Sequence, residues 1–201
     1  VSLNRGQTWT RFMNGLPTVP IHDLYIHPRD YDLIAGTHGR GIWIVDNITP
    51  LQQLTPEIKE KDGHLFDIRP EVQWAKAYEW PWYSDKKFKK ANPPTGSNIS
   101  YYLKNDVSEP VEIEILDITG KVVRNLKGPK ETGIHKVLWD FRINPPKKTK
   151  DTSGQTGQFG SRRQLIPMVK PGEYLVSLKI DNKILTTKLI VEKDNPGYVG
   201  R

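Results

Sequence analysis

The chain has 201 residues, no cysteine and a formal net charge of +7, from 30 Lys and Arg against 23 Asp and Glu. The lack of cysteine excludes disulfides, thiol nucleophiles and zinc–thiolate sites, and no apolar run approaches the roughly 18 residues that a membrane helix needs. With 26% charged and 36% hydrophobic residues the composition is that of a folded chain, long enough for one large or two small domains. Residue 1 is Val and no basic-then-apolar leader follows, so the chain reads as a piece of something longer or a processed product.

In chain order, Ser2-Leu3-Asn4-Arg5-Gly6-Gln7-Thr8-Trp9 reads as a tight hairpin between two short strands. Three strands follow, Ile21–His27, Asp32–Thr37 and Gly41–Asp46, joined by turn material at Pro28–Tyr31 and His38–Arg40. Residues 47–96 read as a connector. Thr49-Pro50 begins one short helix through Leu51, Leu54 and Ile58, with Thr49 as its N-cap. An aromatic stretch, Trp74, Tyr78, Trp80, Trp82, Tyr83 and Phe88, then meets the basic run Lys86–Lys90 and the turn-forming Asn92–Gly96. From Ser97 the β pattern resumes at Ile99–Lys104, Val111–Asp117, Lys121–Leu126, Ile134–Phe141, Tyr174–Ile180 and Ile184–Glu192, with hairpin turns at Thr119-Gly120 and Asp181-Asn182. Val111, Ile113 and Ile115, like Tyr174, Val176 and Leu178, alternate with polar residues, so each strand has one core face and one wet face. Residues 97–193 therefore read as an antiparallel immunoglobulin-like sandwich, interrupted by a long mobile loop at Pro145–Gln164 and followed by a tail, 194–201. The expected class is all-β.

The Ser2–Trp9 segment resembles the Asp-box of bacterial-neuraminidase-type repeats, a Ser-x-Asp-x-Gly-x-Thr-Trp hairpin on β-propeller blades, through Ser2, Gly6, Thr8 and Trp9, with Asn4 in place of Asp. Ala35–Ile44, then Thr49-Pro50-Leu51, Asn92–Gly96, Trp139-Asp140-Phe141-Arg142 and Pro171-Gly172-Glu173-Tyr174, form an ordered series similar to large secreted bacterial sortilin-like proteins, often labelled glycosyl hydrolases. Ile115–Arg124 also resembles the immunoglobulin-like module of flagellar hook-capping proteins. The resemblance implies that residues 1–46 are the last, incomplete blades of a propeller in a secreted or cell-envelope bacterial protein, with Trp9 and Trp43 buried between sheets. It implies two alternative functions: a non-catalytic C-terminal module that binds proteins or glycans, or the tail of a glycoside hydrolase whose catalytic carboxylates lie in upstream blades. Either way this chain carries no catalytic residue of its own.

The residues by themselves point to packing more than chemistry. Glycosidases need two carboxyls facing each other across a sugar, and Asp23, Asp30, Asp32 and Asp46 sit in or beside turns, where Asp serves the backbone. The five histidines show no metal-ligand spacing; His38, in the blade turn His38-Gly39-Arg40, reads as a turn residue bonded to backbone. Gly36-x-x-Gly39-x-Gly41 precedes no helix and so makes no phosphate loop. Trp74, Tyr78, Trp80, Trp82 and Tyr83 could stack on a sugar, although aromatics beside a domain junction more often join the domains. The basic runs read as solvated charge, and no nucleic-acid motif accompanies them. No metal, cofactor or specific nucleic-acid partner is expected. The expected partner is the remainder of the propeller, in the same or a separate chain, with a protein or polysaccharide as further ligand. Without that remainder, Trp9, Ile26, Ile34, Trp43 and Ile44 would face water, so residues 1–46 should be ordered only against it.

Overall fold

The structure, a computed structural model, describes residues 1–13, 15–74, 94–145 and 166–194. Tyr78, Trp80, Trp82, Tyr83, Phe88, the basic run Lys86–Lys90 and nearly all of the loop expected at Pro145–Gln164 lie outside these residues. Among the described residues the fold is all-β with two short helices.

Strands β1 (Ile21–Ile26), β2 (Leu33–Thr37) and β3 (Ile42–Val45) form an antiparallel meander. The β1–β2 turn closes through His27 N–H to the Asp32 carbonyl and Tyr31 N–H to the His27 carbonyl, both 2.9 Å. At the β2–β3 turn both the amide and the hydroxyl of Thr37 donate to the Gly41 carbonyl, at 3.2 and 2.6 Å. Gly39 and Gly41 have φ of 73° and 75°, a conformation that costs any other side chain steric strain.

Two expectations for the first sixty residues need correction. The Ser2–Trp9 segment is a turn with no flanking ladder strands; only Val1 and Thr10 exchange backbone bonds, each donating to the other's carbonyl. The single expected helix is two, α1 (Thr49–Gln53) and α2 (Pro56–Lys59). Thr49 is the first residue of α1 rather than its cap, because the Asn47 carboxamide oxygen already accepts its N–H at 3.1 Å. Pro56 lacks the N–H needed to continue α1 and opens α2 instead, where the Thr55 hydroxyl accepts from Ile58 N–H.

The segment read as connector also supplies two strands, β4 (Gly63–Leu65) and β5 (Glu71–Gln73). The remaining strands are β6 (Ser97–Leu103), β7 (Val111–Leu116), β8 (Val122–Gly128), β9 (Gly133–Trp139), β10 (Gly172–Ile180) and β11 (Lys183–Lys193). They form a three-stranded sheet, β4-β6-β9, and a five-stranded sheet, β5-β11-β10-β7-β8. All pairings are antiparallel except β5 with β11. The expected turns at Thr119-Gly120 and Asp181-Asn182 are present; the Asp117 carboxylate accepts from Thr119 N–H, its hydroxyl and Lys121 N–H.

The period-two apolar residues of both sheets meet in one core, with Ile99, Tyr101, Ile113, Trp139, Val176 and Leu189 fully buried. Trp139 makes edge contacts with Phe141 and Tyr174 at ring separations of 5.4 and 5.5 Å. The Tyr174 hydroxyl donates to the Lys170 carbonyl four residues upstream at 2.6 Å.

The meander is tethered to this body by a few polar contacts. Arg69 reaches back to both the backbone carbonyl and the carboxylate of Asp30, and Lys136 Nζ donates to the Asp46 carbonyl at 2.9 Å; Ile48 N–H, at the start of α1, donates to Tyr31 O at 2.8 Å.

Candidate functional site

Cross-strand register decides which face each residue of the meander presents. Leu24, Ala35 and Trp43 are mutually opposite, as are Ile26, Leu33 and Val45, and these six share one face. Tyr25, Ile34 and Ile44 are likewise opposite one another, and Ile42 stands opposite Gly36 on that second face. Both faces of a three-stranded sheet are thus apolar, the pattern of a sheet with neighbours on both sides rather than one lying on a core.

The first face is partly roofed by residues 1–13, Leu16, α1 and α2, leaving a concave space of about 1060 Å³. Its walls are apolar, with Leu3, Trp9, Phe12, Met13, Ile48 and Leu51 facing the sheet's side chains. Arg5 and Arg11 are the charged residues among its described lining, which contains no Asp, Glu, His or Lys. Such a surface binds by excluding water; it offers no general acid or base. The second face is more open still: Ile42 is 72% exposed, with Tyr25 and Ile44 each more than half exposed.

The Asp-box-like residues come together as their spacing requires. Asn4 Oδ1 accepts from the Ser2 hydroxyl at 3.0 Å and from Thr8 N–H at 2.9 Å, while Asn4 Nδ2 donates to the Thr8 hydroxyl at 2.8 Å. Ser2 Oγ accepts from Gly6 N–H at 2.7 Å, and Arg5 and Gly6 both have positive φ. The Trp9 indole N–H donates to the Gly6 carbonyl three residues back, and Trp43 makes the same bond to Arg40. Both tryptophans were expected to be buried between sheets. In this chain Trp9 is 75% exposed and Trp43 37% exposed, because no second sheet covers them. Ile26 and Ile44 are exposed and Ile34 half-buried.

The carboxylates of the meander serve its backbone. Asp23 accepts from Leu24 N–H and Asp32 from Asn47 N–H. Hydrogen bonds from Arg29, outweighing partial burial, hold the Asp30 carboxyl below the usual carboxylate range, with help from Arg69 and His27. The neighbouring Glu71 behaves oppositely: burial pushes its carboxyl up despite a 2.9 Å bond from Arg69 Nε.

His38 differs from its expected role. Its ring bonds not to backbone but to another ring, with His22 Nε2 2.8 Å from His38 Nδ1. Sequence reading missed this pair because the two are sixteen residues apart and only the β1–β2 pairing joins them. Gly39 supplies the positive φ of the turn, and Arg40 the carbonyl that Trp43 uses. Trp74, at the start of the aromatic stretch, is 56% exposed. Among the described residues no group of three or more His, Cys, Asp or Glu is placed to hold a metal, and no helix is long and apolar enough to cross a membrane.

Comparison with known proteins found no matching family model, curated protein or solved structure.

Proposed function

We propose that this chain is the non-catalytic C-terminal part of a secreted or cell-envelope β-propeller protein, acting in protein or glycan binding and in domain assembly. On this reading residues 1–46 are the last propeller strands and the two-sheet body is an immunoglobulin-like module. The observation that carries it is the meander apolar on both faces, which calls for cover on each side, as neighbouring blades would supply. The Asp-box bonding around Asn4 supports the same reading. For the module, the support is topological. Three strands face the four of β11-β10-β7-β8, the chain crosses between sheets after β6, β8 and β9, and β5 joins the larger sheet as an added parallel edge. Trp139 in the core and a tyrosine near the start of β10 bonded to backbone just upstream are further features of such sandwiches.

The test compares two fragments. Residues 61–194, which include β4 and β5, should melt cooperatively on their own, and residues 1–60 should not. A cooperative melt from 1–60 would defeat the reading. Cleavage of plant or bacterial polysaccharides by the 201-residue chain would defeat its non-catalytic part.

A further inference from the structure

We propose that His22 and His38 form a surface clip for one divalent transition-metal ion of the kind that favours imidazole: zinc, nickel or copper(II). The two rings converge, with Nε2 of His22 2.8 Å from Nδ1 of His38, centroids 4.9 Å apart and planes tilted by 56°. Two imidazoles on tetrahedral zinc, with Zn–N of about 2.0–2.1 Å, place their ligating nitrogens roughly 3.3 Å apart. The rings therefore need to part by only about 0.5 Å, a small side-chain rotation, for an ion to replace the hydrogen bond between them.

The backbone beneath them is already fixed. His22 lies in β1, next to the Ile21–Thr37 pair, and His38 follows Thr37 with its own N–H bonded to the Pro20 carbonyl at 3.0 Å. The double bond from Thr37 to Gly41 holds the turn that carries His38. Both histidines are exposed, so an ion keeps water in its remaining positions and little desolvation opposes its entry. Among the described residues no carboxylate joins the two rings to make a three-ligand group, which leaves imidazole as the ligand type and disfavours hard, oxygen-seeking cations. The clip rests on the β1–β2 geometry and so belongs to the folded meander, whatever covers that sheet.

The 201-residue chain, titrated calorimetrically with zinc chloride, should bind one ion at this site and, because the ion binds the folded meander, show slower hydrogen exchange across residues 21–45 with zinc than without; magnesium and calcium should do neither. His22→Ala and His38→Ala should each weaken zinc binding about tenfold or more, since either removes half of the protein ligands. His135→Ala, whose ring bonds to the Glu131 carbonyl on the other body, should leave it unchanged. In the unaltered chain, substoichiometric copper(II) should broaden the amide signals around residues 22 and 38 first. Absence of zinc binding, an affinity left unchanged by either substitution, or copper broadening centred elsewhere would each overturn the proposal.

Discussion

Asn4 shows how one side chain organises a turn. Its carboxamide both accepts from Thr8 N–H and donates to the Thr8 hydroxyl. Aspartate could keep the first bond and receive the second from a rotated hydroxyl, whereas alanine loses both. Asn4→Ala should loosen the turn by about 1 kcal/mol, and Asn4→Asp should be close to neutral. Amide hydrogen exchange at Thr8 reads the difference, faster in the alanine variant only. Gly128 marks the opposite kind of constraint, a close approach in the core. A Cβ there would overlap the Tyr101 hydroxyl, which is held in place by a 2.6 Å bond to the Pro129 carbonyl. Gly128→Ala should cost about 1–3 kcal/mol in a denaturant melt of the two-sheet body, and a cost near zero would mean that Tyr101 has room to move.

Asp30 and Glu71 meet at Arg69 and should respond to pH in opposite senses. The native Asp30 carboxyl lies below its unfolded value, so its ionised form stabilises the fold above about pH 4, an effect lost as pH falls through the native value. The native Glu71 carboxyl lies above its unfolded value, so its contribution is present below about pH 4.3 and is lost as pH rises through the native value. Asp30→Asn should therefore destabilise the meander at pH 7, by no more than about 1 kcal/mol at a partly solvated site. Glu71→Gln should cost less at pH 7, since it removes a buried charge. Hydrogen exchange across residues 21–45 reads Asp30→Asn, and exchange across residues 71–73 and 191–193 reads Glu71→Gln; the Glu71→Gln difference should be gone below about pH 4, and the Asp30→Asn difference should close only as pH falls through the native Asp30 value. A larger loss in Glu71→Gln would contradict this ordering.

At the scale of elements, local pattern was enough wherever strands alternate over six or more residues. Val111–Leu116 and Gly172–Ile180 stand within one or two residues of where their alternation places them, because one buried face pins the register. The three-residue strands β4 and β5 carry no such periodicity; Gly63-His64-Leu65 is a strand only because β6 offers it an edge. The helix broke in two at Pro56, a proline visible in the sequence but outweighed there by the spacing of Leu51, Leu54 and Ile58. The parallel β5–β11 pairing makes a specific demand. Replacing Val72 with proline removes an N–H from this edge strand and should lower the stability of the two-sheet body measurably, whereas a free linker would tolerate it. The candidate site was legible in part: Ser2, Asn4, Gly6 and Thr8 bond as their spacing implied, while the His22–His38 pair depends on register that no local pattern states.

For the molecule as a whole, two bodies of unequal self-sufficiency share one chain. The two-sheet body closes its apolar residues into a single core. The meander leaves Leu24, Tyr25, Ile42 and Ile44 more than half exposed and is held by a handful of polar contacts from Arg69, Lys136 and, at the start of α1, Ile48. One partly buried ion pair and a few hydrogen bonds contribute about 1 kcal/mol each, so most of what stabilises the meander must come from whatever covers its faces. Hydrogen exchange on the 201-residue chain, with and without the upstream propeller part proposed above, tests this most directly. The account predicts slow exchange at residues 97–141 and 172–193 in both samples, and slow exchange at residues 21–45 only when the upstream part is present. Equally slow exchange at residues 21–45 in the chain alone would contradict it.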